Sequence, residues 1–295
     1  MKNIYLNREI KVILPDYNHF VNFLSKGEQF NFTRLQHNDL DCLIEVYPHI
    51  SELLTDIDNQ NWKKISLRIS QSKSYKNWHN PNKIGLEKII NMFKVVYENT
   101  SLIPNLLLGV STGVGFGTTF GDYDDNNPIQ KKRISILKSL TKNSESLYHA
   151  GVVRHMGVMN ESYDFFKKLN ELDVDVIAFG PSYMKCMQDE FKISKFHQIE
   201  IPYKYAINDL DNLIDDIIEL AIKFKNPLVI SSAGHPITAN LSLELKNTNI
   251  SSLDIGRGFD WNLKKYRNQW NEISGAWLNH PEHYLKQHIN KLRYG

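Results

Sequence analysis

Apolar residues after Asp41 recur at helix-like spacing, at Ile44, Val46, Ile50, Leu53, Leu54 and Ile57. Such spacing gathers them along one side of an α-helix, where they can be buried together. A second set, Ile84, Leu86, Ile89, Ile90, Met92, Phe93, Val95 and Val96, predicts another helix. The polar stretch between them, SQSKSYKNWHNPNK, reads as a loop. The first hundred residues are therefore expected to be mainly helical.

The grammar changes at Asn105. NLLLGV (Asn105 to Val110) is a short, continuous apolar run, the pattern of a strand buried on both faces. A glycine-rich loop from Gly113 to Pro128 follows, then a helix through Ile134, Ile136, Leu137 and Leu140. ESYDFFKKLNEL predicts a helix, VDVIAFG (Val174 to Gly180) a strand, and Pro181-Ser182 the start of a short helix. HQIEIP (His197 to Pro202) predicts a further strand. Leu210, Leu213, Ile214, Ile217, Ile218, Ala221 and Ile222 form a stripe on a helix that Asn208 or Asp209 would cap. PLVISSAG (Pro227 to Gly234) predicts a strand, HPITANLSLELK a helix with Pro236 in its first turn, and SSLDIG (Ser251 to Gly256) a last strand. Strands alternating with helices at this spacing imply a parallel sheet with right-handed crossovers. The expected fold is α/β: a Rossmann-like parallel sheet flanked by helices, with a mainly helical N-terminal region, in a single domain over residues 1–295.

Composition narrows the function classes. Lys and Arg total 35 against 33 acidic residues, a formal charge of only +2 over 295 residues. A nucleic-acid partner is not expected, because such binders carry a marked basic excess. Cys42 and Cys186 form no CxxC pair and read as reduced core residues. The N-terminal stretch has no signal-like apolar run, and nothing approaches the ~20 apolar residues needed to span a bilayer. A cytoplasmic location is expected.

Five places can carry chemistry. Gly180-Pro181-Ser182 and Ser231-Ser232-Ala233-Gly234-His235 each join a strand to a helix through glycine. In an open α/β sheet, ligands sit beyond the carboxyl ends of the strands. A helix N-terminus there offers free N–H groups and partial positive charge to a phosphate, unless the glycines merely make tight turns. Asp39 and Asp41 form a D-x-D pair able to hold Mg²⁺ or Mn²⁺ against a diphosphate, although such a pair is often only solvated or capping. Arg34 and His37 could pair with those carboxylates or with phosphate. Asp122, Asp124 and Asp125 in the glycine-rich loop read as solvated, and the absence of Gly-Lys-Ser/Thr rules out a P-loop there. HAGVVRHMG brings His149, Arg154 and His155, with Arg154 a potential clamp on phosphate or carboxylate. Asp254, at a predicted strand end with Arg257 just beyond, can accept hydrogen bonds from sugar hydroxyls, act as a base, or cap a turn.

The stretches FHQIEIPYKYAINDLDNLIDDI, LVISSAGHPITANLSLELK and SLDIGRGFDW resemble the C-terminal half of bacterial glycosyltransferases of the GT-D type. EQFNFTRLQHNDLD is similar to that family's arginine-containing segment leading to an acidic motif, with Asp41 where the family carries Glu. The resemblance runs in order over about two thirds of the chain. It implies a Rossmann-like, metal-assisted glycosyltransferase that moves a sugar from a nucleotide-diphosphate sugar to an acceptor glycan or other hydroxyl compound. It further implies that Asp39 and Asp41 hold a divalent metal (Mn²⁺ or Mg²⁺), that Gly234 and His235 form the donor-side turn, and that Asp254 and Gly256 lie on the later strand. Substrate binding is expected at Arg34, Gly180, Ser182, Ser232, Gly234, Gly256 and Arg257, and catalysis at His235 or Asp254. Two rivals follow from the same pattern: an S-adenosylmethionine-dependent methyltransferase, whose glycine turn would follow Val110, and a non-catalytic binding protein on a Rossmann-like fold.

Overall fold

A computed structural model describes residues 2–6, 8–98, 103, 105–111, 127–144, 146–202 and 204–295. Nine strands among these residues form one sheet. They are β1 (Lys2–Leu6), β2 (Ile10–Leu14), β3 (Asn31–Leu35), β4 (Leu106–Val110), β5 (Leu147–His149), β6 (Asp175–Gly180), β7 (Phe196–Glu200), β8 (Pro227–Ser231) and β9 (Ser251–Asp254). Their order across the sheet is β1-β2-β5-β4-β3-β9-β8-β6-β7. Only the β1–β2 hairpin is antiparallel. The α/β, Rossmann-like expectation holds.

The strand side chains explain why both faces are covered. In β6, Ile177 and Phe179 enter one apolar cluster with Ile207, Leu213 and Leu241, while Val176 and Ala178 enter another with Phe165, Met187 and Phe259. Successive strand residues point to opposite faces, so a continuous apolar run needs helices on both sides. The helices Glu161–Glu171, Leu210–Ala221 and His235–Glu244 form where the sequence predicts them.

The N-terminal third is mainly helical, as expected, but it also carries strands. It contributes β1, β2 and β3 to the same sheet, and β3 lies near its centre, paired with both β4 and β9. The strand NFTRL is buried at every position although Asn31, Thr33 and Arg34 are polar, so it lacks the continuous apolar run that marks β4 and β6. The single helix predicted after Asp41 is two, His37–Val46 and Ile50–Asp58. Tyr47 between them is extended (φ −109°, ψ 117°), as clash with the ring of Pro48 requires of the preceding residue. The predicted loop contains the helix Lys73–Trp78, opened by Ser72, whose hydroxyl accepts the Tyr75 N–H at 3.2 Å. Asp209 stands at the cap position of Leu210–Ala221 but makes no side-chain cap bond, since the 3₁₀ turn Ala206–Asp209 runs directly into that helix. Cys42 and Cys186 are both buried and unpaired. No helix among the described residues is long and apolar enough to cross a membrane. The acidic loop carboxylates Asp122, Asp124 and Asp125 lie outside the described residues.

Candidate active site

Neighbouring β3 and β9 mark where the sheet's order reverses: from β3 the chain continues to β4 and β5 on one side, while β9 borders β8 and β6 on the other. A crevice at the carboxyl ends of such strands is the usual ligand site of an open α/β sheet. Here a cavity of about 600 Å³ opens there. Its wall is built from residues after β3 (Gln36 to Asp39), after β6 (Pro181), after β8 (Ser232 to Ile237) and after β9 (Gly256, Arg257).

Arg34 anchors the cavity floor. It is 4% exposed, and its guanidinium donates to Asp254 Oδ1 at 2.7 Å. Asp254 also accepts the Gly256 N–H at 2.9 Å and the Thr238 hydroxyl at 3.2 Å. Thus Asp254, only 1% exposed, spends its oxygens holding Arg34 and the turn after β9, and it is not among the cavity-lining residues. Gly256 has φ +45°, and a Cβ there would overlap the Arg34 guanidinium. A left-handed backbone and close approach together demand glycine. The Nε of Arg34 is buried with no partner among the described residues, although buried donors are nearly always bonded. An anion in the cavity is one way to satisfy it.

Two further arginines join it. Arg154, in the helix Val152–Val158, lines the same cavity, and burial together with the charge of Arg34 pushes its pKa down to about 10. Arg257 donates from Nε to Asp260 Oδ2 at 2.7 Å and from its terminal nitrogen to the Glu272 carbonyl. Tyr183 donates to the other oxygen of Asp260 at 3.0 Å. Burial raises the Asp260 carboxyl to about 6 against the opposing pull of Arg257. Burial likewise lowers His37 and His79 to about 4, with Arg133 adding to the effect at His37. Both histidines are neutral at pH 7, so the cavity's positive charge rests on arginine.

His235 opens the helix His235–Glu244 after Gly234, whose φ of +88° turns the chain into it. The Nδ1 of His235 is hydrogen-bonded to the Arg34 carbonyl and lies 3.5 Å from Asp39 Oδ2. Asp39, 2% exposed, is held by the Tyr75 hydroxyl at 2.5 Å and the Gln36 N–H at 3.2 Å.

The structure thus brings Arg34, Asp39, Asp41, Ser232, Gly234, His235, Gly256 and Arg257 to one cavity. Gly180 is apart: it closes β6, and a Cβ there would overlap the Met184 thioether and crowd Ser232, so this glycine serves close packing. Ser182 lies in a neighbouring pocket with Pro181, Glu200, Ile201, Pro202 and Glu272. His149 and His155 stack with ring centres 5.2 Å apart in the buried interior.

The acidic pair does not fit a metal site. Asp39 and Asp41 are two residues apart on one helix, a spacing that faces side chains away from each other. Asp41 gives both oxygens to Arg133, at 2.7 and 2.6 Å, which ties its helix to Pro128–Thr141. Asp39 is engaged as described above. Among the described residues, no three His, Cys, Asp or Glu side chains gather in a way that could hold a cation.

Sequence reading missed the aromatic rim. Trp78, 48% exposed, and Tyr205, 46% exposed, line the cavity, and the Tyr205 N–H donates to the Trp78 carbonyl at 3.1 Å. A tryptophan inside a polar stretch was the available signal. Tyr205 takes a left-handed φ of +67°, which its sequence does not announce.

Against known proteins, the chain matches no family model and no curated protein. Solved structures do match. A selenomethionine-substituted structure of domain of unknown function 1792 is 14% identical with a TM-score of 0.51, covering 88% of this chain and 82% of that one. Another, described as showing that this highly conserved domain has a distinct glycosyltransferase fold, is 14% identical with a TM-score of 0.50 and the same coverage. A third, described as a new glycosyltransferase of this domain from Streptococcus sanguinis, is 13% identical with a TM-score of 0.48, covering 88% and 85%. The likeness extends over most of both chains, and this protein therefore shares the fold of domain of unknown function 1792, which is described there as a distinct glycosyltransferase fold.

Proposed function

We propose that the protein is a glycosyltransferase that binds a nucleotide-diphosphate sugar in the cavity at the ends of β3, β8 and β9 and passes the sugar to an acceptor hydroxyl. The observation that carries this reading is the convergence of Arg34, Arg154 and Arg257 on one cavity, with the Arg34 Nε left unpartnered. Guanidinium forks match phosphate oxygens, and positive charge fixed in place favours a diphosphate as it leaves. The open amides at the start of His235–Glu244 add to that field. Trp78 and Tyr205 at the rim supply faces on which a nucleobase or sugar can stack. The pocket holding Ser182, Glu200 and Glu272 shares Pro181, Ile201 and Pro202 with the cavity wall, and its carboxylates suit the hydroxyls of an acceptor. No step is assigned to a metal, because Asp39 and Asp41 are each bonded to protein groups.

The methyltransferase rival requires a cationic sulfonium cofactor, which three arginines would repel. The test is a titration of the protein with uridine and guanosine diphosphates and their sugars, followed by thermal shift and by release of free sugar. Ligand binding at 100 times Kd raises stability by about 2.7 kcal/mol. Stabilisation by a nucleoside diphosphate with sugar release supports the reading. Stabilisation by S-adenosylmethionine alone overturns it.

A further inference from the structure

We infer that His235 is the base that takes the acceptor's proton and that Asp39 is its positioning residue, an Asp–His pair standing where the sequence promised a metal ligand. The inference rests on the glycosyltransferase reading and assigns roles within the same cavity. A backbone carbonyl can only accept, so the bond between His235 Nδ1 and the Arg34 carbonyl places the ring proton on Nδ1. The neutral ring then carries its lone pair on Nε2, which has no partner among the described residues, while the side chain borders the cavity and is 12% exposed. Asp39 Oδ2, 3.5 Å from Nδ1, is placed to stabilise the positive charge that the ring gains on protonation. The carboxylate cannot swing away: Tyr75 and the Gln36 N–H hold it from two other sides.

In the step so assigned, the acceptor oxygen forms a bond to the anomeric carbon as its proton passes to His235 Nε2. The bond between that carbon and the diphosphate oxygen breaks, and the nucleoside diphosphate leaves with the electron pair toward the arginines. Asp254 has no part in the proton transfer, since its oxygens are taken by Arg34, Thr238 and Gly256.

The experiment pairs a measurement without substrate with a kinetic one. Nitrogen-15 NMR of the wild-type imidazoles is expected to show His235 in the Nδ1-protonated tautomer, and a ring protonated on Nε2 overturns the pair by itself. With a uridine- or guanosine-diphosphate sugar, Asp39→Asn is expected to lower turnover at least about 100-fold and His235→Gln by 10²–10⁴-fold, the usual span for general-base loss. Nucleoside-diphosphate affinity, measured by calorimetry, should stay within about two-fold in both variants. The double variant should be no slower than His235→Gln, because Asp39 acts through the histidine. If Mn²⁺ tightens wild-type binding of the nucleoside diphosphate and Asp39→Asn abolishes that gain, Asp39 is a metal ligand and the inference is wrong. A wild type that binds no nucleoside diphosphate removes the glycosyltransferase reading and the transfer step with it, whatever the tautomer.

Discussion

Arg34 and Asp254 illustrate how much one buried pair decides. Their bond is almost wholly sealed from water, and Asp254 is further held by Gly256 and Thr238. Removing one member of a buried pair leaves the other as an uncompensated charge, typically at a cost of about 3–5 kcal/mol. Asp254→Ala should therefore lower the unfolding free energy read from a urea titration by an amount of that order, with a lower midpoint, and release Arg34 from its aim. An unchanged midpoint would show that the pair is not buried as described. Gly256→Ala tests the same arrangement from the other side. A non-glycine residue at φ +45° costs of order 1–3 kcal/mol, and its Cβ displaces the arginine. Nucleoside-diphosphate affinity should fall more in this variant than in one with alanine placed on an exposed loop.

Among elements, the short helix Lys73–Trp78 has a role out of proportion to its length. It places Tyr75 on Asp39 and Trp78 at the rim, and it starts where Ser72 both caps Tyr75 and donates to Glu45 at 2.6 Å. Stacking a base on an aromatic face is worth roughly 1–3 kcal/mol. Trp78→Ala should weaken nucleoside-diphosphate binding about ten-fold, as calorimetry would read, and leave the melting temperature nearly unchanged because the side chain is half exposed. A large drop in melting temperature would instead mark Trp78 as core. The link from Asp41 to Arg133 joins this wall of the cavity to the helix Pro128–Thr141 and accounts for the aspartate without a cation.

Across the whole molecule, stability should fall in acid, and the direction follows from the histidines around the cavity. His37 and His79 have folded values near 4 against about 6.5 when unfolded. Between these limits the unfolded chain binds more protons, so stability is full above pH 6.5 and is lost as pH falls toward 4. Each histidine contributes up to about 3 kcal/mol on this reckoning. Asp260, raised to about 6, works the other way: its burial favours folding in acid, and that advantage is lost as pH rises through 6. Two histidines outweigh one carboxyl. Urea titrations at pH 7 and 4.5 should show a smaller pH difference for His79→Gln than for wild type. Equal differences would mean that His79 is not buried as a neutral ring.

Local pattern alone determined the C-terminal alternation of strands and helices, since a run such as DVIAFG has to be covered on both faces, and it determined the glycine turn at Gly234; the left-handed turn at Gly256, read from the sequence as strand, appeared only in the structure. It also pointed to most of the residues that meet in the cavity. What it did not carry was partnership. Nothing near Asp41 in the chain announces Arg133, 92 residues away, and nothing near Asp39 announces Tyr75 or His235. Spacing alone therefore could not tell a metal motif from two carboxylates each bonded to distant protein groups. The strand Asn31–Leu35 was hidden for a related reason: three of its five residues are polar, so it lacks the apolar run of a buried strand, and only its place between β4 and β9 shows that those polar groups are buried. Spacing along a chain records which face a side chain occupies; which charge it meets there depends on contacts between distant segments, and those exist only once the sheet has closed.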